Sequence, residues 1–161
     1  MLTPLKIMLP SVLSLIHIYT MDLELGQLIP FDSAIGNEKL MGNLRLVEDY
    51  HQSYGGRITC RFGPHSTEYC SAELLREIKA LSDKYDVGIY THLSQSEEEN
   101  LQTQMRNGCR PTELLDRLGF LSPKLIAAHL IFTEPQELKR IAESGASMVL
   151  CVGSNMLIGG I

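Results

Sequence analysis

From Gly36 onward the chain alternates between two hydrophobic spacings. Leu40, Leu44 and Val47 recur at intervals of three and four, which gathers them on one face of a helix, and Asn37 stands where an N-cap belongs. Tyr54–Arg57 is turn-like, Arg57–Phe62 reads as a short strand, and Gly63-Pro64 stops it. Ser71 caps a second helix with Leu74, Leu75, Ile78 and Leu81 in one stripe. Val87–His92 is a strand. Ser96 caps the next helix, whose first turn holds Glu97, Glu98 and Glu99, and Gly108 ends it. Pro111 opens a short helix with Leu114, Leu115 and Leu118 inward, and Gly119 closes it. Leu125–Leu130 is a strand. Thr133 caps a helix that runs through Pro135, Leu138 and Ile141 to Gly145. Ser147–Val152 is the last strand, and Gly153-Ser154-Asn155 follows. A further strand is expected near Val12–Tyr19.

Strands and helices thus alternate, and the strands are apolar on both faces. Such strands belong to a parallel sheet covered by helices. An open doubly wound sheet and an eight-stranded barrel both satisfy this pattern. A doubly wound binding module calls for a G-x-G-x-x-G loop after its first strand, and none is present. The polar residues instead cluster at C-terminal strand ends: His65 beyond one, His92 and His129 at the next two, Ser154 and Asn155 after the last. Barrel enzymes assemble their sites at that face. The expected fold is therefore α/β, of the (β/α)8 TIM type.

Composition narrows the function. The 161 residues suit one domain, and 44% hydrophobic with 20% charged residues is ordinary for a soluble globular chain. A net charge of -5, without a Lys/Arg cluster, argues against nucleic acid as a partner, and the absence of Trp removes a stacking platform. Leu5–Tyr19 is apolar but broken by Lys6, Pro10, Ser11, Ser14 and His17, too short for a membrane span and poor as a leader. Cys60, Cys70, Cys109 and Cys151 form no C-x-x-C pair and read as reduced thiols of a cytoplasmic protein.

Three of the five histidines are candidates for chemistry. A neutral imidazole at a strand end can bind a divalent metal or simply hydrogen-bond at the sheet rim. His92 has polar Ser94, Gln95 and Ser96 after it. His129 follows Ala127-Ala128, which leave room above the strand. His65 follows Gly-Pro in a loop. A barrel would point all three at one centre. His17 and His51 carry no such signal, and Glu97–Glu99 reads as a solvated first helical turn.

The stretches GRITCRFGPHSTEYCSAELLREIKALSDKYDVGIYTHLSQSEEE and GCRPTELLDRLGFLSPKLIAAHLIFTEPQELKRIAESGASMVLCVGSNMLIGGI resemble the amidohydrolase superfamily. The branch they are most similar to holds the deaminases of S-adenosylhomocysteine and methylthioadenosine, guanine deaminase, and the atrazine and melamine hydrolases. The spaced set G-P-H, T-H-L-x-x-S, A-H and S-N carries the resemblance, from about Gly56 to Ile161. It implies a metal-activated water, on zinc (Zn2+) or sometimes iron (Fe2+), that attacks a ring carbon bearing an amine or halide. It implies His92 as a metal ligand of the fifth strand, His129 of the sixth as orienting water or substrate, His65 of the fourth as a substrate contact, and Ser154 and Asn155 in the loop after the seventh.

Three departures follow. Gln95 stands where the family's H-x-x-E places its proton-shuttling Glu, and an amide does not exchange protons as a carboxylic acid does. Val152 replaces the usual Pro before Ser-Asn. The H-x-H of the family's first strand and the Asp of its eighth find no counterpart between Met1 and Ile161. The resemblance thus implies a partial barrel of roughly the third to seventh strands, spanning residues 1–161 as one domain with 1–20 uncertain. The expected function is a fragment of an aminohydrolase acting on a purine, pyrimidine or triazine-like ring, a small heterocyclic substrate. No nucleic acid or membrane is expected as a partner, the full-length form is expected to be a homo-oligomer, and the isolated chain is expected to self-associate. The alternative is a non-catalytic chain that keeps the scaffold without a complete metal site.

Overall fold

The computed structural model describes residues 19–23 and 31–158. The strand expected at Val12–Tyr19 lies outside them except for Tyr19, which is not in a strand, and so does His17.

The elements in order are α1 (Ser33–Tyr50), a single turn α2 (Ser53–Gly56), α3 (Ala72–Tyr85), β1 (Ile89–Leu93), α4 (Glu97–Asn107), α5 (Pro111–Arg117), β2 (Leu125–His129), α6 (Pro135–Ser144), β3 (Ser147–Val149) and α7 (Val152–Ile158). The three strands lie side by side in the order β1-β2-β3, all parallel. The fold is mixed α/β around a small parallel sheet, with helices supplying the crossovers that parallel pairing requires. Register pairs His92 with Ala128 and Leu93 with His129, so both histidines arrive at the same end of the sheet.

Two single bridges widen the sheet on the β1 side, Phe62 to Ile89 and Thr20 to Pro64. The backbone around them is hydrogen-bonded in step: Tyr90 N–H donates to the Phe62 carbonyl (2.9 Å), His92 N–H to the His65 carbonyl (3.0 Å), and His65 N–H to the Thr20 carbonyl (3.0 Å). Arg57–Phe62 is therefore not the strand its composition suggests. Cys60 N–H is spent on the His51 imidazole (3.0 Å), and Pro64 has no N–H to give, so pairing survives only from Phe62 onward.

Phe62, Leu75, Ile78, Val87, Leu93, Leu115, Phe120 and Leu125 fill the layer between sheet and helices and are essentially inaccessible. Each such Leu or Phe is worth roughly 1.5–3 kcal/mol of burial. Ser71 and Ser96 cap α3 and α4 as the sequence implies, each hydroxyl accepting from the N–H three residues on. Asn37 does not cap α1. Asp32 does, accepting from Ala34 and Ile35, because its own N–H is anchored on the Asp22 carbonyl (2.6 Å). Thr133 does not cap α6 either; Glu134 and Glu137 close a reciprocal capping box. The last strand stops at Val149, and Val152 already belongs to α7.

Along β3 and α7 the apolar residues Val149, Leu150, Val152, Met156 and Leu157 are exposed, Leu157 at 90%. An uncovered apolar face of this kind drives association. The isolated chain should elute from a sizing column above monomer mass; a clean monomer that unfolds cooperatively would contradict this. Among the described residues no helix is long and apolar enough to cross a membrane.

Candidate active site

His65, His92 and His129 meet at the C-terminal edge of the sheet. The rings of His65 and His92 lie 4.8 Å apart between centroids, and those of His92 and His129 5.3 Å. Tyr19 closes the group on the other side, 5.0 Å from the His65 ring and 5.2 Å from His92. The Tyr69 ring stands edge-on to His65 at 5.0 Å.

Each strand-end imidazole is oriented by an acceptor at Nδ1. His92 Nδ1 is 2.7 Å from the His65 carbonyl oxygen, so it carries the proton and donates it, leaving Nε2 as the acceptor, 3.4 Å from the Tyr19 hydroxyl. His129 Nδ1 lies 2.8 Å from Asn155 Oδ1, and donation to that oxygen again turns the Nε2 lone pair away from the protein's own acceptor. Asn155 is buried at 6% exposure in the first turn of α7, with its N–H on the Cys151 carbonyl. Ser154, its neighbour, is exposed, and the structure does not bring it to the rings. Burial lowers the His65 pKa to about 4, with nearby His92 and Lys39 adding to the effect, so His65 is neutral at ordinary pH.

The chain leaves these strands by strained turns. Ser94 has φ 48°, His129 φ 75° and Leu130 φ 55°, all in the left-handed region that non-glycine residues avoid. Leu130 N–H on the Leu93 carbonyl (3.0 Å) and Phe132 N–H on the Ser94 carbonyl (2.9 Å) hold the two exits together. The hydroxyl of Ser94 is buried without a partner.

Gln95 is half-buried in the turn that follows Ser94. Beneath it lies a carboxylate that the acidic run concealed. Glu99 is not solvated; its exposure is 0%. Its Oε1 accepts the Thr67 hydroxyl (2.8 Å) and its Oε2 accepts Gln95 N–H (2.9 Å), while Thr67 and Thr103 hydroxyls meet at 2.9 Å. Burial pushes the Glu99 carboxyl up to about 7, against the hydrogen bonds it accepts. The available signal was Ser96-x-x-Glu99, a capping-box spacing that turns the third residue back toward the cap. Tyr19 and Glu68 also belong to this region and had no local signature.

The donor set partly fits a zinc ion. Metal-binding histidines usually give their second N–H to a carbonyl or similar acceptor, as His92 and His129 do. A catalytic zinc takes three protein ligands, however, and among the described residues no three His, Cys, Asp or Glu side chains converge on one point.

Comparison with known proteins agrees with this architecture. Residues 19–160 match the Amidohydrolase family, and the chain belongs to it. It is 36% identical over 118 residues to the 5'-deoxyadenosine deaminase of Methanothermobacter thermautotrophicus, covering 73% of this chain and 28% of that protein. It is 35% identical over 96 residues to the 5-methylthioadenosine/S-adenosylhomocysteine deaminase of Pyrococcus furiosus, covering 60% of this chain and 23% of that one. The crystal structure of an adenosine deaminase from Xanthomonas campestris with bound zinc superimposes with a TM-score of 0.71 and 26% identity, over 78% of this chain and 28% of its own. The chain thus spans about a quarter of the length of the relatives it matches.

Proposed function

We propose that residues 1–161 form part of a single (β/α)8 barrel domain of a cytoplasmic, metal-dependent aminohydrolase that acts on an aminated heterocycle, a purine nucleoside being the first choice. The observation that carries the reading is the His92–His129 pair at the ends of adjacent parallel strands, each imidazole held in one tautomer by an acceptor at Nδ1. The relatives' activities, deamination of adenosine derivatives, support the substrate class.

In this reading His92 would help hold zinc, with iron as the other candidate metal, and the missing ligands would come from outside the described residues. A metal bound there would supply water acidified to near neutral pH. His129, fixed by Asn155, orients the attacking water or the substrate. His65, neutral and set edge-on to the Tyr69 ring, offers the ring a hydrogen bond. Gln95 can donate to or accept from a heterocycle, and Ser154 contributes at the outer rim. The remaining barrel elements would cover the apolar face of β3 and α7, and the full-length form would be a homo-oligomer.

A second reading, a scaffold without catalysis, is favoured by the Gln95 amide and the short ligand set. Reading the coding sequence on both sides separates the two. An H-x-H upstream and an Asp downstream, followed by zinc content near one per chain and ammonia release from adenosine analogues, would support the aminohydrolase. In-frame start and stop codons at the two ends, with no zinc retained, would support the scaffold.

A further inference from the structure

Glu99 is a buried acid that the proposed reaction does not use. It has no exposed surface, and both its oxygens are taken: Oε1 accepts the Thr67 hydroxyl (2.8 Å) and Oε2 the Gln95 N–H (2.9 Å). It is therefore placed neither to touch a substrate nor to pass it a proton. Its own N–H is held by the Ser96 hydroxyl (3.0 Å) at the start of α4. Thr103, one turn further along that helix, meets the Thr67 hydroxyl at 2.9 Å, and both threonines are buried as completely as Glu99. A carboxyl group in such a place costs stability unless donors meet it. Here the two donors come from two different loops.

Those loops are the ones that carry the site. Gln95 belongs to the turn by which the chain leaves β1, three residues beyond His92, and Thr67 lies two residues beyond His65. The His65 carbonyl accepts both the backbone N–H (3.0 Å) and the Nδ1 proton (2.7 Å) of His92. Tyr69, two residues beyond Thr67, sets its ring edge-on to that of His65. Arg106, also on α4, donates to the Glu68 carbonyl oxygen between them (2.6 Å). The helix thus grips the His65 loop at Thr67 and Glu68 and the Gln95 turn at its N–H, and Glu99 bonds to both.

We infer that Glu99 is a positioning residue, a clamp that locks the Gln95 turn and the His65 loop together on α4 and so sets the two side chains that meet the substrate ring. The inference rests on the aminohydrolase reading above. His92 does not depend on the clamp in the same way, because the backbone bond from its N–H to the His65 carbonyl holds that strand end by itself. Releasing Glu99 therefore loosens the substrate contacts and leaves the metal ligand in place. Glutamine can take over the clamp. Its carbonyl accepts the Gln95 N–H, its amide donates to the Thr67 hydroxyl, and that hydroxyl turns to donate to Thr103. Alanine makes neither bond.

In the zinc-loaded protein with its natural flanking sequence, Glu99→Ala should lower kcat/KM for ammonia release by about 10–100-fold, most of it as a rise in KM, with zinc content unchanged. Glu99→Gln should recover most of that loss. Unchanged kinetics in Glu99→Ala overturn the inference and leave the aminohydrolase reading standing. An equal loss in both variants, which makes the charge and not the bonds decisive, overturns it too, as does a loss that tracks zinc content. Thr67→Val cuts one arm of the clamp and should raise KM in the same direction; an unchanged KM there overturns the inference even where Glu99→Ala is too unstable to assay. A wild type that hydrolyses no aminated ring overturns both the inference and the reading beneath it. Independently of activity, the Gln95 N–H should exchange with deuterium at least about tenfold faster in Glu99→Ala than in the wild type or Glu99→Gln. The Tyr90 N–H, bonded to the Phe62 carbonyl within the sheet, should keep its rate. Equal acceleration at both positions shows general loosening and overturns the positioning role.

Discussion

Glu99→Ala should cost about 3 kcal/mol of folding free energy, measured by urea denaturation at a pH below 7. The substitution strips the acceptor from the Thr67 hydroxyl and from Gln95 N–H, and leaves a void where a fully buried side chain stood. A buried donor without a partner costs about 1–3 kcal/mol, and two donors plus a cavity exceed the effect of an ordinary surface change. A loss under about 1 kcal/mol would mean that water replaces the carboxylate freely and that Glu99 is no clamp. Glu99→Gln probes the charge alone. Burial holds the folded-state carboxyl at about 7, above the unfolded value. The folded protein therefore binds this proton more tightly than the unfolded chain. The stabilisation is fully present below the unfolded pKa and is lost as pH rises through about 7. Melting temperature should fall over that window in the wild type and fall less in Glu99→Gln. His65, whose pKa is lowered, contributes the opposite slope, but it is common to both proteins and cancels in the difference.

The second large effect is on metal. In the protein with its natural flanking sequence, His92→Ala should weaken zinc binding by more than about 100-fold, the upper end of what losing a group that merely orients a ligand costs. Ammonia release should fall with it. The fold should barely respond. The His65 carbonyl keeps the His92 backbone N–H at 3.0 Å, so no buried acceptor is orphaned. Zinc content by atomic emission and a melting curve on the same sample separate the two consequences. Full zinc occupancy in His92→Ala would remove this residue from the ligand set. Glu99 and His92 are thus expected to divide cleanly, one governing stability and the other metal.

The sequence made the repeating order of strand and helix legible because it is written in local terms. Ser71, Ser96, Pro111, Gly108 and Gly145 mark helix ends by their own chemistry, and the structure has them doing so. Where a tertiary contact competes, the local reading gave way. Asp32 displaces Asn37 as a cap because Asp22 anchors it, and Cys60 leaves its strand because His51 takes its N–H. The three histidines were visible because strand ends are visible. Their company was not: Tyr19 ends a segment read as a strand, with nothing local to pair it with the histidines, and Asn155 reaches His129 only because α7 begins before it rather than after. Three consecutive glutamates are alike in sequence. Helix rotation alone turns Glu99 inward and leaves Glu97 and Glu98 in solvent.

The two left-handed residues that end β2 also bear on how this site could be altered. At His129 and Leu130 the backbone has already excluded most side chains before chemistry is tested. Glycine, asparagine and aspartate tolerate that conformation, whereas valine, isoleucine and threonine do not. A mutagenesis library at these two positions will therefore be sorted first by strand exit and only then by turnover. Asparagine at 129 is the informative replacement: it keeps the bend while removing the imidazole, so the activity it loses belongs to the ring.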